Sequence, residues 1–107
     1  MLILFDQGTP VPLRSFLTGH TVKTASEQGW STLANGKLLD AAETAGLEVL
    51  VTTDENLPEQ QNLMLPKLAI VVLGNAQWPI LKLQVRLAVD AINAAKPGSY
   101  VLVDIPI

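Results

Sequence analysis

The sequence predicts an α/β fold, a three-layer α/β/α sandwich around a mostly parallel sheet, in one domain spanning residues 1–107. Three observations carry that expectation. Short apolar runs without alternation (Leu2–Phe5, Val49–Val51, Leu68–Leu73) have the length and composition of strands buried on both faces. Stretches with helical patterning separate them, the order that builds parallel sheets. The chain is 49% apolar and only 16% charged, with few aromatics, and at 107 residues it can bury a core without disulfide or metal staples.

Taken in order, Met1–Phe5 reads as strand one. Thr9 is placed to cap a short helix with Pro10 at its first position; Leu13, Phe16 and Leu17 would face the core and Gly19 would stop it. His20–Thr24 is a more polar strand, expected near a sheet edge. Thr24-Ala25-Ser26-Glu27 has capping-box spacing, so a helical turn should follow before Gly29. Asn35 then opens an amphipathic helix with Leu38, Leu39, Ala42 and Ala45 on one side, and Gly46 ends it. Strand three is Glu48–Thr52. Asn56-Leu57-Pro58-Glu59 looks like another capped start, leading into Gln60-Gln61-Asn62. Leu68–Leu73 is strand four. Trp78-Pro79 begins the longest helix, to about Ala95, whose apolar residues cover most of its circumference. Such a surface is wider than one sheet face needs and points to self-association as a homodimer, or to a partner. Pro97-Gly98 turns into a last strand, Ser99–Ile105.

Composition excludes several classes. Without cysteine there is no disulfide, thiol nucleophile or thiolate metal site. No apolar stretch approaches the roughly 18 residues of a membrane span, and the start lacks the order of a secretion signal, so a cytoplasmic location is the default expectation. Net charge is −3, and the seven basic residues stand singly, without the stripe a duplex-binding protein needs. His20 is the sole histidine, which leaves no credible Ser-His-Asp arrangement without it.

Chemistry therefore concentrates on acids. Asp6 follows strand one and Asp54 follows strand three, so both should meet at the carboxyl edge of the sheet, where open α/β sheets bind ligands. Paired carboxylates suit Mg²⁺ or Mn²⁺, hard ions that activate water for phosphodiester cleavage; read plainly, both aspartates begin turns. Asp40 and Glu43 share a helix face and are either further ligands or solvated. Asn35 is a natural N-cap that could also lend an amide oxygen. Asn56 caps the segment after Asp54, and Gln60 belongs to an amide cluster suited to bases, phosphate-bound water or simple hydration. Trp30 and Trp78 read as core or interface anchors rather than stacking platforms.

Three segments carry a resemblance. Leu2-Ile3-Leu4-Phe5-Asp6-Gln7, then Asn35-Gly36-Lys37-Leu38-Leu39 with Ala42 and Glu43, and above all Val51-Thr52-Thr53-Asp54-Glu55-Asn56-Leu57 resemble the small PIN-like proteins, compact relatives of VapC-type toxin nucleases. Gln60-Gln61-Asn62-Leu63, Ala69–Leu73 and the closing Ala91-Ile92, Pro97-Gly98 and Val101 extend the match over nearly the whole chain, and the Thr-x-Asp element is its most specific part. The resemblance implies a Mg²⁺-dependent endoribonuclease, the toxin of a toxin–antitoxin pair, acting on single-stranded or structured RNA. It assigns Asp6 and Asp54 as metal-binding catalytic acids, and it places Asn35 where the family usually has a third acid. The helical glutamate of longer PIN domains has no clear counterpart. An asparagine brings no charge, so two carboxylates hold a divalent ion weakly unless Asp40 or Glu43 turns toward them. The alternative is a catalytically degenerate PIN-like protein that binds a partner or dimerises. A phospho-acceptor receiver domain would need a lysine after the last strand, where this chain has Asp104-Ile105-Pro106.

Overall fold

Apolar runs of four or five residues, bounded by turn formers, become the strands. The computed structural model describes residues 1–33, 35–55 and 68–106, without the side chain of Asn35. Strands β1 (Leu2–Phe5), β2 (Thr21–Thr24), β3 (Val49–Thr52), β4 (Ala69–Leu73) and β5 (Tyr100–Val103) form one sheet in the order β2-β1-β3-β4-β5. All four pairings are parallel rather than mostly so. Phe5 lies opposite Thr24 on one side and Val51 on the other, so the carboxyl ends of β1 and β3 finish level.

Successive side chains point to opposite faces, and both faces are apolar. Ile3, Phe5, Val49 and Val51 join one buried cluster with Leu13, Leu17, Leu81, Ala88 and Ile92. Leu4, Leu50, Ile70 and Val72 join another with Leu38, Leu39 and Ala42. Burial on two sides is why these strands lack alternation in sequence.

Helix α1 (Asn35–Thr44) presents Leu38, Leu39 and Ala42 to the sheet, while Ala45, expected on the same side, is exposed beyond its end. Its chain reversal is a Schellman closure: Leu47 N donates to Ala42 O at 3.0 Å and Gly46 N to Glu43 O at 3.1 Å, with Gly46 at φ +81°. The capping box at Thr24 and Glu27 forms reciprocally, with Thr24 N to Glu27 Oε1 and Glu27 N to Thr24 Oγ1 both at 3.0 Å. It starts a turn rather than a helix.

The long helix expected from Trp78 to Ala95 is broken. Helix α2 (Trp78–Leu81) passes into a 3₁₀ turn (Lys82–Gln84) and then α3 (Val85–Asn93), because Gln84, at φ −120° and ψ 26°, leaves helical geometry. Only Leu81, Ala88 and Ile92 of the apolar set are fully buried; Leu83 is 81% exposed. The first helix is likewise 3₁₀, Val11–Phe16, and is capped by no side chain: Thr9 does not cap it. Phe16, expected in the core, is 41% exposed and packs on Trp78 with ring centroids 5.9 Å apart. The last strand is Tyr100–Val103, shorter than expected at both ends, and among the described residues it pairs only with β4. No helix among the described residues is long and apolar enough to cross a membrane.

Candidate functional site

The strand order reverses direction at β1. The chain leaves β1 for β2 on one side and returns past β1 to β3 on the other. The carboxyl ends of β1 and β3 therefore flank the point where crossover connections diverge, the usual ligand crevice of an open parallel sheet. Asp6 is the first residue past β1, and its N–H extends the ladder by donating to Val51 O at 3.2 Å.

Both oxygens of the Asp6 carboxylate accept hydroxyl hydrogen bonds. Thr9 Oγ1 lies 2.8 Å from Oδ1, and Thr52 Oγ1 donates to Oδ2. Thr9 is also 2.8 Å from Val51 O, so its single hydroxyl hydrogen is shared between two acceptors. Thr9 and Thr52 are almost completely buried, at 3% and 1% exposure, which fixes their rotamers by packing as well as bonding. The Thr52 hydroxyl in turn accepts the Asp54 N–H at 3.1 Å. One hydroxyl thus ties the Asp6 carboxylate to the backbone of Asp54. Gly8 permits this closeness: a Cβ there would stand 2.6 Å from Thr53 Oγ1, so the loops after β1 and β3 meet only over a glycine.

Beside this network lies a small pocket of about 140 Å³, lined among others by Asp6, Gln7, Gly8, Trp30, Ser31 and Leu33. Trp30 is half-buried against the cluster under α1 and forms part of the wall beside Asp6.

The expected site residues divide as follows. Asp6 and Asp54 are brought to one edge by adjacent strands, with Asp54 half-buried. Asn35 is the first residue of α1, and its side chain lies outside the described residues, as do Asn56 and Gln60. Asp40 is exposed on α1. Glu43 is not brought to Asp6: it sits near the end of α1 and lines a different cavity with Glu48, Val49 and Ala69, at the opposite edge of the sheet. His20 is also remote from Asp6, bonding Met1 N at 3.1 Å and Asn93 Oδ1 at 2.7 Å. Among the described residues no three acidic or histidine side chains converge.

The donor described at this edge is the Asp6 carboxylate, a hard-oxygen group of the kind a hydrated hard cation takes. An ionised carboxylate has about four acceptor positions, so Asp6 keeps lone pairs beyond the two hydroxyl bonds. Mg²⁺ is commonly held by one or two carboxylates while keeping several waters.

Thr9, Thr52, Gly8 and Trp30 belong to the candidate site, where the sequence reads Thr9 as a cap, Thr52 as a strand end and Trp30 as a core or interface anchor, and gives Gly8 no role. The spacing Asp6-x-x-Thr9 and the Thr-x-Asp element contained the signal for the first two, since both are patterns in which a hydroxyl closes on a nearby acid or amide. Set beside known proteins, the chain matches no family model, no curated protein and no solved structure.

Proposed function

We propose that this chain is a three-layer, PIN-like metal-dependent endoribonuclease in which Asp6 and Asp54 hold Mg²⁺ or Mn²⁺. The single observation behind the reading is the Thr52 hydroxyl bridging the Asp6 carboxylate and the Asp54 N–H across two level strand ends. When bound, the ion supplies an activated water and neutralises charge building on a phosphodiester. The chain's own residues do the rest. Thr9 and Thr52 hold the Asp6 carboxylate in one orientation, so its remaining lone pairs are aimed before any ligand arrives. Trp30 lines the same pocket, and an aromatic side chain there suits stacking with an unpaired base of single-stranded RNA. The chain's −3 charge leaves binding to this local site rather than to a general phosphate attraction.

Cleavage of a single-stranded RNA by purified protein in Mg²⁺ or Mn²⁺, and its loss in Asp6→Asn, tests the reading. A wild type that leaves the RNA intact with both ions rejects it.

A second reading has its own support. Leu83 and Leu87 are exposed on the broken helix, and Tyr100, Val101 and Leu102 are exposed on the edge strand. These are surfaces for a second copy of the chain or for an antitoxin-type protein, and they suit a PIN-like module that binds without cutting.

A further inference from the structure

The two edges of the sheet are unlike. In a parallel ladder the backbone groups of alternate residues point to opposite sides of the strand. Thr21 N and Ala25 N donate to Met1 O and Phe5 O, toward β1, so the N–H and C=O of Val22 and Thr24 point outward from β2. That edge is closed from within the chain. Arg14 Nη2 donates to Val22 O at 3.0 Å, Thr24 N donates to Glu27 Oε1 at 3.0 Å, and Thr24 O accepts the Gln28 N–H at 3.1 Å. Lys23 adds a charge on the strand, a common guard of a sheet edge.

Strand β5 has no such guard. Ser99 O and Val103 O accept from Ile70 N and Gly74 N, both at 2.9 Å, so these alternate residues face β4 and Leu102 faces away from it. Among the described residues, the Leu102 N–H and C=O have no partner. The strand reads Tyr100-Val101-Leu102-Val103, without a charge, proline or glycine, and its first three residues are exposed. Leu102 thus presents an open donor and acceptor among apolar side chains, a template for one more strand.

We propose that this strand is β5 of a second copy, joined antiparallel about a two-fold axis through Leu102 into one ten-stranded sheet. The occupant follows from the edges. Among the described strands of a second copy, β2 is closed and the inner strands are already paired, which leaves β5 as the one with open groups. An antiparallel β5–β5 pairing uses the same surface on both chains, so it closes at two copies instead of growing into a fibre. Each Leu102 gives its N–H to the other and takes one in return. Val101 of one copy meets Val103 of the other, and Tyr100 meets Asp104. The two exposed Asp104 carboxylates then stay about 14 Å apart, beyond the screening length of roughly 8 Å. This deepens the second reading above by naming the partner and its geometry. It rests on that reading for the exposed strand alone, and its test reads mass and cross-linking, so its failure leaves the nuclease reading intact.

Light scattering on the full chain tests it. So few residues pair that the dimer should be weak, with a Kd on the order of 100 μM. The mean mass should climb from 11.5 kDa toward twice that value as protein is raised to about 1 mM. Leu102→Pro removes the outward N–H without touching the β4 ladder, a change that edge strands accept, and Leu102→Lys places a charge at the axis. Both should keep the circular dichroism of the wild type and stay at the monomer mass. The chain has no cysteine, so Leu102→Cys supplies one thiol per copy. Paired Cα atoms about 5.5 Å apart suit a disulfide. Under mild oxidation this variant should cross-link at least about tenfold faster than Val11→Cys, whose site on the 3₁₀ helix is as exposed, at 53% against 50%. A wild type monomeric throughout, which leaves the edge to a strand of another protein, overturns the proposal. So does a folded Leu102→Pro or Leu102→Lys that dimerises like wild type, or cross-linking at Leu102 no faster than at Val11.

Discussion

The Thr52 hydroxyl donates to the carboxylate of Asp6, across 46 residues of sequence and one strand boundary. The pair is possible because β1 and β3 are neighbours in register, and it is rigid because Thr52 is almost fully buried. Replacing Thr52 by Val keeps the shape but leaves Asp6 Oδ2 and the Asp54 N–H without that partner. Stability should fall by about 1–3 kcal/mol in urea denaturation, and any metal-dependent activity should fall further than stability alone explains. A Thr52→Val protein as stable and active as wild type would remove the hydroxyl from the site.

Divalent ions should raise the melting temperature. A ligand that binds only the folded state adds about 2.7 kcal/mol at roughly 100 times its Kd. For a weak two-carboxylate site that excess requires high Mg²⁺ or Mn²⁺. Thermal melts with increasing metal should show a shift of several degrees in wild type and none in Asp54→Asn; an equal shift in both would place the cation elsewhere.

Acid should loosen the contact between the 3₁₀ helix and the turn after β2. Arg14 grips both carboxylate oxygens of Glu27, with Nη1 to Oε2 at 3.2 Å, and this contact holds the glutamate below its ordinary range, helped by the Thr24 N–H. A depressed folded-state pKa contributes stability that is fully present above the unfolded value. That stability is lost as pH falls through the ordinary glutamate range, about 4.3, and on through the lower folded value. The pair is exposed, so the effect is small and salt-screened. Urea midpoints measured from neutral to acid pH should fall more steeply in wild type than in Glu27→Gln, and parallel curves would show the pair contributes nothing.

Leu83→Glu addresses the exposed helix surface. At 81% exposure the change should alter folding stability by no more than about 0.5 kcal/mol. Light scattering on wild type should report a dimer if this surface is used, and on the variant a monomer. Identical masses would exclude Leu83 from any interface.

Strands were legible because two-sided burial writes unbroken Val, Ile and Leu into the sequence, and both aspartates were legible because each stands where such a run stops. Thr9 was not. A threonine before Pro10 has the pattern of an N-cap, and that pattern competes with the Asp6-x-x-Thr9 spacing by which its hydroxyl turns back to Asp6 and Val51 instead. The helix break at Gln84 was hidden for a related reason: Ile80 to Ile92 reads as continuous apolar surface, with no Gly or Pro to mark the interruption. Glu43 shows the limit of face-counting. Helical spacing groups it with Asp40, but which end of the sheet it reaches depends on α1 running opposite to the strands. The cavity it lines draws on elements spread from Met1 to Pro97, so no motif announces it.

The order β2-β1-β3-β4-β5 also constrains assembly in time. As the chain leaves the ribosome, β1 has only β2 to pair with until Val49–Thr52 emerges, and parallel partners so far apart in sequence close slowly. Thr52 arrives with that later strand, so an early two-strand species holds Asp6 without one of its anchors. The proposed site at this edge is therefore assembled only when the third strand joins the sheet.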